Sequence, residues 1–516
     1  MEVLSSVLSL LSTHWVGTLV ICLVILFCYW GIAPYRRSAI VAQVGDLPGP
    51  PPLPFFGNSL DLFRYKGQMH LQFDDYYKKY GRLYTTFLAS RKPSIVISDL
   101  GMVKELMVKE FQSFHDRPSA VKLPKPLNSM MTSVTGQTWH RIRTTLSPTF
   151  SGHKMKVMVP LLNKSCDVLV KKLQDAEKSD QSVNVYKFLQ GLTIEAILSS
   201  FFGLESNAQT DENDVGYVAA KNAMQRSPFL RRILIFVSLS LPGGKYILTL
   251  PIFDRMIMGN FLKLVDLSKD IIKVKKEAAA NGNASKDFLD MMLENTDDTN
   301  LPEEKRLTED EVLAQSAIFL LAGFENTSNS LSLVCHHLAT NPDIQEKAQE
   351  EIDSIWSDMD QPLSYDMVNS MNYLEMIISE TLRLHPPVVI HTREATKDCT
   401  IKGFPIKKGT GILVPVYSIQ RDPEYYDNPD KFDPEHFSAE AKQSRDPYAY
   451  MPFGHGPRNC IGMRYVLFQM KMFLARILKQ FSLVVGPETK VPLEVQMRTV
   501  LGCGKDGIQL RLKCRH

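Results

Sequence analysis

The segment from Thr308 to Thr340 constrains the fold of this 516-residue chain more than any other. Thr308, followed three residues later by Glu311, forms a capping box that opens a helix, and Asn341-Pro342 stops it. Its middle, Ala317-Ile-Phe-Leu-Leu-Ala-Gly323, is apolar on every side, so the helix has to run through the interior. Other elements must then wrap it. Helical spacing of apolar residues recurs over Met102–Glu110, Lys154–Ala176, Pro342–Ser354, Tyr373–Leu384 and Met463–Phe481. Alternating runs are short, at Ser94–Ser98, Cys399–Ile401, Gly411–Val414 and Ile508–Leu512. The pattern predicts a mainly α fold with small β-sheets at the edge of a helical mass. A hydrophobic fraction of 44% with a net charge of only +3 excludes disorder as the main state. The balance of 59 basic against 56 acidic residues gives no reason to expect nucleic acid as a partner.

From Trp15 to Ala33 the chain is uncharged and strongly apolar over about 19 residues, enough for one helix to cross a hydrocarbon core. A mean hydropathy of -0.12 leaves room for one such segment at most. Trp15, Tyr29 and Trp30 suit the two interfaces; Glu2 is the only side-chain charge before the run, and Arg36 and Arg37 follow it. The positive-inside bias then puts everything downstream in the cytoplasm and the amino terminus in the lumen. The run is too long for a signal peptide's apolar core and has no basic region before it, so it reads as an uncleaved single-pass anchor. The proline-rich Asp46–Pro54 reads as a stiff connector, with the packed part starting near Phe55. The expected division is an anchor and linker over 1–45 and one globular domain over 46–516. The 8 cysteines are scattered without a C-x-x-C pair, which fits a reducing compartment. Asn-x-Ser sites at Asn163, Asn283 and Asn326 are glycosylation acceptors by pattern, which the cytoplasmic topology removes from use.

The richest chemistry lies in Phe453-Gly-His-Gly-Pro-Arg-Asn-Cys-Ile-Gly462, followed by a long helix beginning at Met463. Gly454 and Gly456 permit backbone conformations that side chains forbid, so a tight loop can aim N–H groups at a sulfur. Cys460 stands at the opening of a helix, where unpaired N–H groups and the dipole favour thiolate. Gly462 lets something flat approach closely, and Arg458 supplies a cation for an anionic group. These residues describe a metal thiolate beneath a planar, acid-bearing cofactor. A zinc site would need more ligands than His455 and Cys460. A dinucleotide loop fails because Asn459 stands where the third glycine belongs.

This segment resembles the haem-binding signature of the cytochromes P450, Phe-x-x-Gly-x-Arg-x-Cys-x-Gly, filled at every position, and the resemblance extends over nearly the whole chain. It implies the cytochrome P450 fold with one amino-terminal transmembrane helix, a catalytic domain over 46–516, and haem b with Cys460 as the axial thiolate on iron. Glu380-Thr-Leu-Arg383 resembles the family's Glu-x-x-Arg motif, which with Pro434-Glu-His-Phe437 locks the structure behind the haem. His436 stands where the family usually has arginine, so that third member is weakened or replaced. Trp139 and Arg143 resemble the helix residues that reach a haem propionate, and Arg393 the strand arginine that does the same. Phe453, Gly454, Gly456, Arg458 and Gly462 complete the implied haem contacts.

Ala322-Gly-Phe-Glu-Asn-Thr327, on the interior helix, is similar to the family's Ala-Gly-x-Glu-Thr oxygen-activation motif, with Glu325, Asn326 and Thr327 as its catalytic positions. Gly323 would leave room for a diatomic molecule. The departure is Asn326 at the alcohol position, with Thr327 about 100° further round the helix. An amide hydrogen-bonds but does not relay a proton as a hydroxyl does. Ser147-Pro-Thr-Phe150, Ala339-Thr-Asn-Pro342 and Pro457–Arg464 resemble the animal microsomal branch containing the subfamily 3A drug-oxidising enzymes and thromboxane synthase.

The resemblance implies a monooxygenase of the endoplasmic reticulum membrane that inserts one oxygen atom from O2 into a lipophilic steroid, fatty acid or xenobiotic. The chain has no nicotinamide or flavin fingerprint of its own, so electrons come from NADPH-cytochrome P450 reductase, with cytochrome b5 as a further candidate donor. Arg141, Lys154, Lys156, Arg464 and Lys471 are the basic residues expected to dock an acidic partner face. A second reading, a haem-thiolate isomerase of a fatty-acid endoperoxide, draws on Thr392-Arg-Glu-Ala395, Phe437-Ser-Ala-Glu-Ala441 and the missing threonine. A non-catalytic haem sensor is a third. Substrate contacts are expected at Pro118–Met131, at Phe229–Phe261 and around Phe319.

Overall fold

The computed structural model describes residues 15–88, 92–118, 123–179, 181–224, 251–280, 287–497, 500–504 and 506–515. Its axis is the interior helix, Glu309–Thr340. Thr308 caps it as the sequence predicts: its Oγ1 accepts the Glu311 N–H at 3.2 Å, and Glu311 Oε2 accepts the Thr308 N–H at 2.9 Å. Glu311 is also gripped by the Arg141 guanidinium, which fixes the start of the axis to the helix Gly136–Leu146. At the other end Asn341 closes the axis, and Pro342 opens the next helix, Pro342–Ile355.

Several polar residues of this buried helix bond back to the helix itself. Asn326 Nδ2, Ser328 Oγ, Asn329 Nδ2 and Ser332 Oγ each donate to the carbonyl one turn back, at 2.7–3.0 Å. Such back-bonding lets polar side chains sit in an apolar surrounding without water. The helix Val185–Phe202, buried along almost its whole length, packs beside the axis. At their crossing a Cβ on Gly323 would lie 2.6 Å from Ile197 Cδ1, so the missing side chain serves close helix packing.

A large core joins the axis to Gly152–Glu177, Pro342–Ile355, Asn372–Leu384 and Met463–Gln480, where Phe473, Leu474 and Leu478 are wholly buried. Each such side chain contributes roughly 1.5–3 kcal/mol by leaving water. The β structure lies to one side. In the largest sheet the strands run in the order Leu83–Thr86, Ser94–Ile97, Gly411–Val414, His391–Glu394, all neighbours antiparallel except the middle pair. A second sheet pairs Gln509–Cys514 with Val183–Asn184 and Phe481–Val484. The mainly α architecture with small sheets is therefore as predicted.

Two expectations change. The helix expected over Met102–Glu110 is an α-turn, Leu100–Lys104, followed by a wider π-turn, Glu105–Lys109, which carries the Met107 carbonyl to the cysteine loop. The connector is not a free spacer. Tyr35, Ile40, Val44 and Leu47 enter the core with Phe87, Ile95 and Ile97, and Thr85 N–H donates to the Pro48 carbonyl at 2.9 Å. Packing therefore starts near Tyr35, because this edge of the sheet needs an apolar cover. The apolar amino-terminal segment forms the helix Trp15–Ile32. Among the described residues no single helix is long and apolar enough to cross a membrane; the pair Leu19–Tyr35 and Arg37–Val44, bent by 50°, meets the length and composition together.

Candidate active site

Between the interior helix, the sheet and the cysteine loop lies a cavity of about 400 Å³. The loop closes on itself through Cys460 N–H to the Phe453 carbonyl at 2.8 Å and Asn459 N–H to the Gly456 carbonyl at 3.0 Å. Gly454 and Gly456 have φ of 72° and 73°, in the left-handed region. A Cβ on Gly456 would also lie 1.9 Å from the Met107 carbonyl oxygen, so this position tolerates nothing but glycine. Gly456 thus seats the loop on the π-turn, whereas Phe453, Gly454, Cys460 and Gly462 line the cavity. The helix begins at Met463, with Gly462 as its cap, so Cys460 stands two residues before the cap. Cys460 lines the cavity and is exposed there. Burial pushes the thiol pKa up, while the Gly462 N–H, Arg143 and Arg117 oppose that rise.

Four arginines gather on this cavity: Arg117, Arg143, Arg393 and Arg458. Arg143 is held by Asn459, with 2.8 Å bonds to its carbonyl and its side-chain oxygen. Arg458 donates to the Val134 carbonyl at 2.6 Å and lies over the Trp139 ring, 4.7 Å from its centroid. Burial, then repulsion from Arg117 and Arg458, pushes Arg393 down to about 9; burial and Arg117 push Arg458 down to about 10. Arg393 Nε and Arg458 Nε and Nη1 are buried without a partner. A cluster of crowded cations with orphaned donors calls for an anion. Gly462 adds a bare face, since a Cβ there would meet only Phe150, at an ordinary 3.5 Å. A soft sulfur ligand, orphaned guanidinium donors and an open glycine face fit the flat, acid-bearing iron macrocycle that the sequence implies.

The interior helix turns Ile318, Phe319, Ala322, Gly323, Asn326 and Thr327 to the cavity. Phe150 and Phe201 stand beside Phe319, with ring centroids 5.9 and 6.2 Å from it, and make the far wall aromatic. Thr327 Oγ1 is buried without a partner, as is Asn326 Oδ1. Glu325 is not among the lining residues. Its Oε1 accepts from Tyr186 Oη and from Asn329 Nδ2, both at 2.9 Å, which turns the acid toward the neighbouring helix. The helix thus brings Asn326 and Thr327 to one surface and takes Glu325 away from it.

Behind the loop, Arg383 and Glu380 are fully buried and doubly bonded, Nε to Oε2 at 2.7 Å and Nη2 to Oε1 at 2.8 Å. Glu380 also accepts the Asp433 N–H at 2.9 Å and faces His436 Nδ1 at 3.1 Å. His436 Nε2 lies 2.8 Å from the Asp427 carbonyl. Both ring nitrogens face acceptors, so both carry hydrogen, and His436 is an imidazolium that takes the place of the expected arginine. Burial works against that charge, but the bond to Glu380 outweighs it and the pKa is raised. A raised histidine pKa gives stability that is complete below about 6.5 and is lost as pH rises through the folded-state value. The thermal midpoint of the wild type is therefore expected to fall relative to His436→Gln as pH rises from about 6 into the alkaline range. Parallel midpoint curves for the two proteins would remove the imidazolium from the network.

Other expectations fare unevenly. Met131 lines the cavity, but residues 119–122 of the first expected substrate segment and 229–250 of the second lie outside the described residues. Of the docking cations, Arg141 is committed to Glu311, and Lys471 is buried against Glu375 at 2.9 Å, so neither is offered to a partner. Arg464 is exposed. The sequence reading missed Arg117 and His391. The Glu394 N–H donates to the Asp116 carbonyl at 2.9 Å, which sets Arg117 beside Arg393, and no local pattern signals that pairing. His391 lines the cavity with Nε2 2.9 Å from the Met451 carbonyl.

The cytochrome P450 family model matches residues 47–512. The chain is 36% identical over 462 residues to cytochrome P450 3A14 of Cavia porcellus, covering 88% of this chain and 89% of that one. It is 34% identical over 503 residues to cytochrome P450 3A2 of Rattus norvegicus, covering 96% of each. Lithocholate 6-beta-hydroxylase of Mesocricetus auratus is 36% identical over 463 residues, 88% of this chain and 89% of that one. The signature around Cys460 and a match that runs along nearly the entire chain lead to one conclusion: the protein belongs to the cytochrome P450 family.

Proposed function

We propose that this protein is a haem-thiolate monooxygenase that inserts one atom of O2 into a lipophilic substrate, with electrons delivered from NADPH by NADPH-cytochrome P450 reductase. The observation that carries this reading is the placement of the Cys460 sulfur and four arginines on a mostly apolar cavity beside an interior helix. When bound, haem b supplies the redox chemistry of oxygen activation. Cys460 would hold its iron, and Arg143, Arg393 and Arg458, with Trp139 packed among them and Arg117 adding a fourth cation, would hold its acid groups. The aromatic wall of Phe150, Phe201 and Phe319 excludes water and receives apolar surface. Thr327 supplies a hydroxyl at this wall. Asn326 commits one of its two amide hydrogens to the Ala322 carbonyl at 2.9 Å and has no hydroxyl to relay a proton.

The subfamily names of the relatives, one of them a hydroxylase, support the oxygenase over the endoperoxide isomerase. The bent amino-terminal helix pair would anchor the protein in the endoplasmic reticulum membrane by a single pass, with the catalytic domain on the cytoplasmic side. Reductase and cytochrome b5 would meet the basic face at Arg464. The test is product formation by the purified haem protein from a lipophilic panel plus prostaglandin endoperoxide, with and without NADPH and reductase. Turnover that needs both is the expected result; endoperoxide rearrangement without either would overturn it. Asn326→Thr puts a hydroxyl at position 326 and is expected to raise product formed per NADPH severalfold. An unchanged ratio would separate residue 326 from proton delivery.

A further inference from the structure

We propose that Gln420 is a positioning residue for the Cys460 thiolate: together with His391 it clamps the backbone of Met451, where the chain enters the cysteine loop, and so fixes how the sulfur is presented. This deepens the haem-thiolate reading and rests on it. Gln420 is wholly buried, just past the end of the short helix Val416–Ile419. Its amide bonds to two separate parts of the protein. Nε2 donates to the Leu382 and Arg383 carbonyls at 3.1 and 2.9 Å, and Oε1 accepts the Met451 N–H at 2.9 Å. The two carbonyls belong to the last turn of Asn372–Leu384, where a helix leaves its acceptors unpaired. With carbonyls on one side and an N–H on the other, the amide has a single orientation. Arg383 Nη1 in turn donates to the Gln420 carbonyl at 2.9 Å, so this residue links the buried Glu380–Arg383 pair to the loop.

Met451 is held on its other side as well. Its carbonyl accepts the Gly454 N–H at 3.0 Å and lies 2.9 Å from Nε2 of His391, on the strand that carries Arg393. A carbonyl only accepts, so His391 donates. Both backbone groups of Met451 are thereby fixed, by side chains from two elements remote from it in the chain. Pro452 follows and has no N–H to give. Phe453 is next, and its carbonyl accepts the Cys460 N–H at 2.8 Å. The path from Gln420 to the sulfur-bearing residue is therefore one hydrogen bond, a short step of chain and a second hydrogen bond. Without the Gln420 amide the Met451 N–H is buried and unpaired, which favours opening of the loop and retreat of the sulfur from the cavity. Loss of such a bond shifts a local opening equilibrium by roughly 5- to 100-fold.

The test compares Gln420→Met with Gln345→Met in the full-length, haem-loaded protein. Gln345 is a matched control: it is buried, its Nε2 donates to the Leu338 and Leu483 carbonyls at 3.4 and 2.9 Å, and its Oε1 accepts the Leu483 N–H at 2.7 Å, all away from the cysteine loop. Both variants are expected to lower the thermal midpoint by similar amounts. Only Gln420→Met is expected to speed the decay of the thiolate-type reduced-carbonyl band at fixed temperature, by roughly 5- to 100-fold. It should also shift the ferric–ferrous potential upward, since a loosened anionic sulfur favours the oxidised iron less. His391→Leu should speed the same decay, and His391→Gln, whose amide can donate to Met451, should slow it again. Should Gln420→Met purify without haem, the His391 pair decides. Wild-type decay and potential in Gln420→Met, equal effects from Gln345→Met, a His391→Leu variant that decays no faster than wild type, or a His391→Gln variant no slower than His391→Leu would each overturn the proposal. Absence of the thiolate-type band from the wild type would instead overturn the haem-thiolate reading beneath.

Discussion

Arg383→Leu is expected to yield no stable haem protein. The guanidinium makes five hydrogen bonds inside the molecule: two to Glu380 and three to the carbonyls of Gln420, Pro429 and Lys431, at 2.7–3.2 Å. It also stacks on Tyr426, 4.7 Å from the ring centroid, with Arg445 at 4.4 Å from the same ring. Removing it leaves Glu380 charged and buried, which costs about 3–5 kcal/mol, a large part of the about 5–15 kcal/mol that holds a domain together. Glu380 shows the size of the interaction in another way. Burial alone would raise its pKa, yet Arg383 and His436 hold it below the usual range. That stability is present above about 4.5 and is lost as pH falls through the depressed value, the opposite sense to His436. The Glu380→Leu, Arg383→Leu double variant should recover part of the loss, since neither charge is then stranded. Haem content and thermal midpoint measure both. A single variant that purifies with full haem content and an unshifted midpoint would refute this account of the network.

Cys460→Ala is expected to abolish the thiolate signature of the reduced carbonyl complex and all NADPH-dependent turnover. The sulfur is the one thiol among the residues lining the cavity, and no cluster of histidine, cysteine or carboxylate elsewhere among the described residues could substitute for it. His391 is the nearest alternative. Burial pushes its pKa down to about 4, so it is a neutral imidazole with a lone pair to give. A haem taken up by the alanine variant would therefore show an imidazole-type spectrum, if it is taken up at all. A thiolate-type Soret band in the variant would end the assignment of Cys460.

The parts of this protein that could be read from its sequence are those whose physics is local. The interior helix announces itself because its cap, Thr308 with Glu311, and its stop, Asn341-Pro342, are contiguous with it. The cysteine loop is legible for the same reason: Gly454, Gly456 and Cys460 fold against each other within ten residues. What escaped notice depends on partners far along the chain. Arg117 reaches the site only through the pairing of Asp116 with Glu394. Gly323 was expected to make space in the cavity, which it does line, and its missing side chain also lets Ile197 of the adjoining helix come close, which no local pattern signals. Glu325 was expected to face the reaction, and Tyr186, from another helix, holds it elsewhere. No periodicity reports which of two neighbours captures a carboxylate. Asn326 lies between these cases: the sequence shows that it replaces an alcohol, but only the structure shows its amide nitrogen tied back to the Ala322 carbonyl.

The buried asparagines carry a consequence for biogenesis. Asn163 belongs to an Asn-x-Ser site, yet its amide donates to the carbonyls of Val159 and Leu363, at 3.2 and 2.9 Å, with the side chain packed away from solvent. Asn326, in a second such site, looks into the cavity. Glycosyl transfer acts on a chain before it folds, and a glycan on either amide would occupy space that the native state fills. A copy inserted in the reverse orientation, with the globule in the lumen, would be sugar-marked at positions incompatible with this packing. Under the proposed single-pass anchoring, membrane orientation and the ability to fold would thereby be coupled.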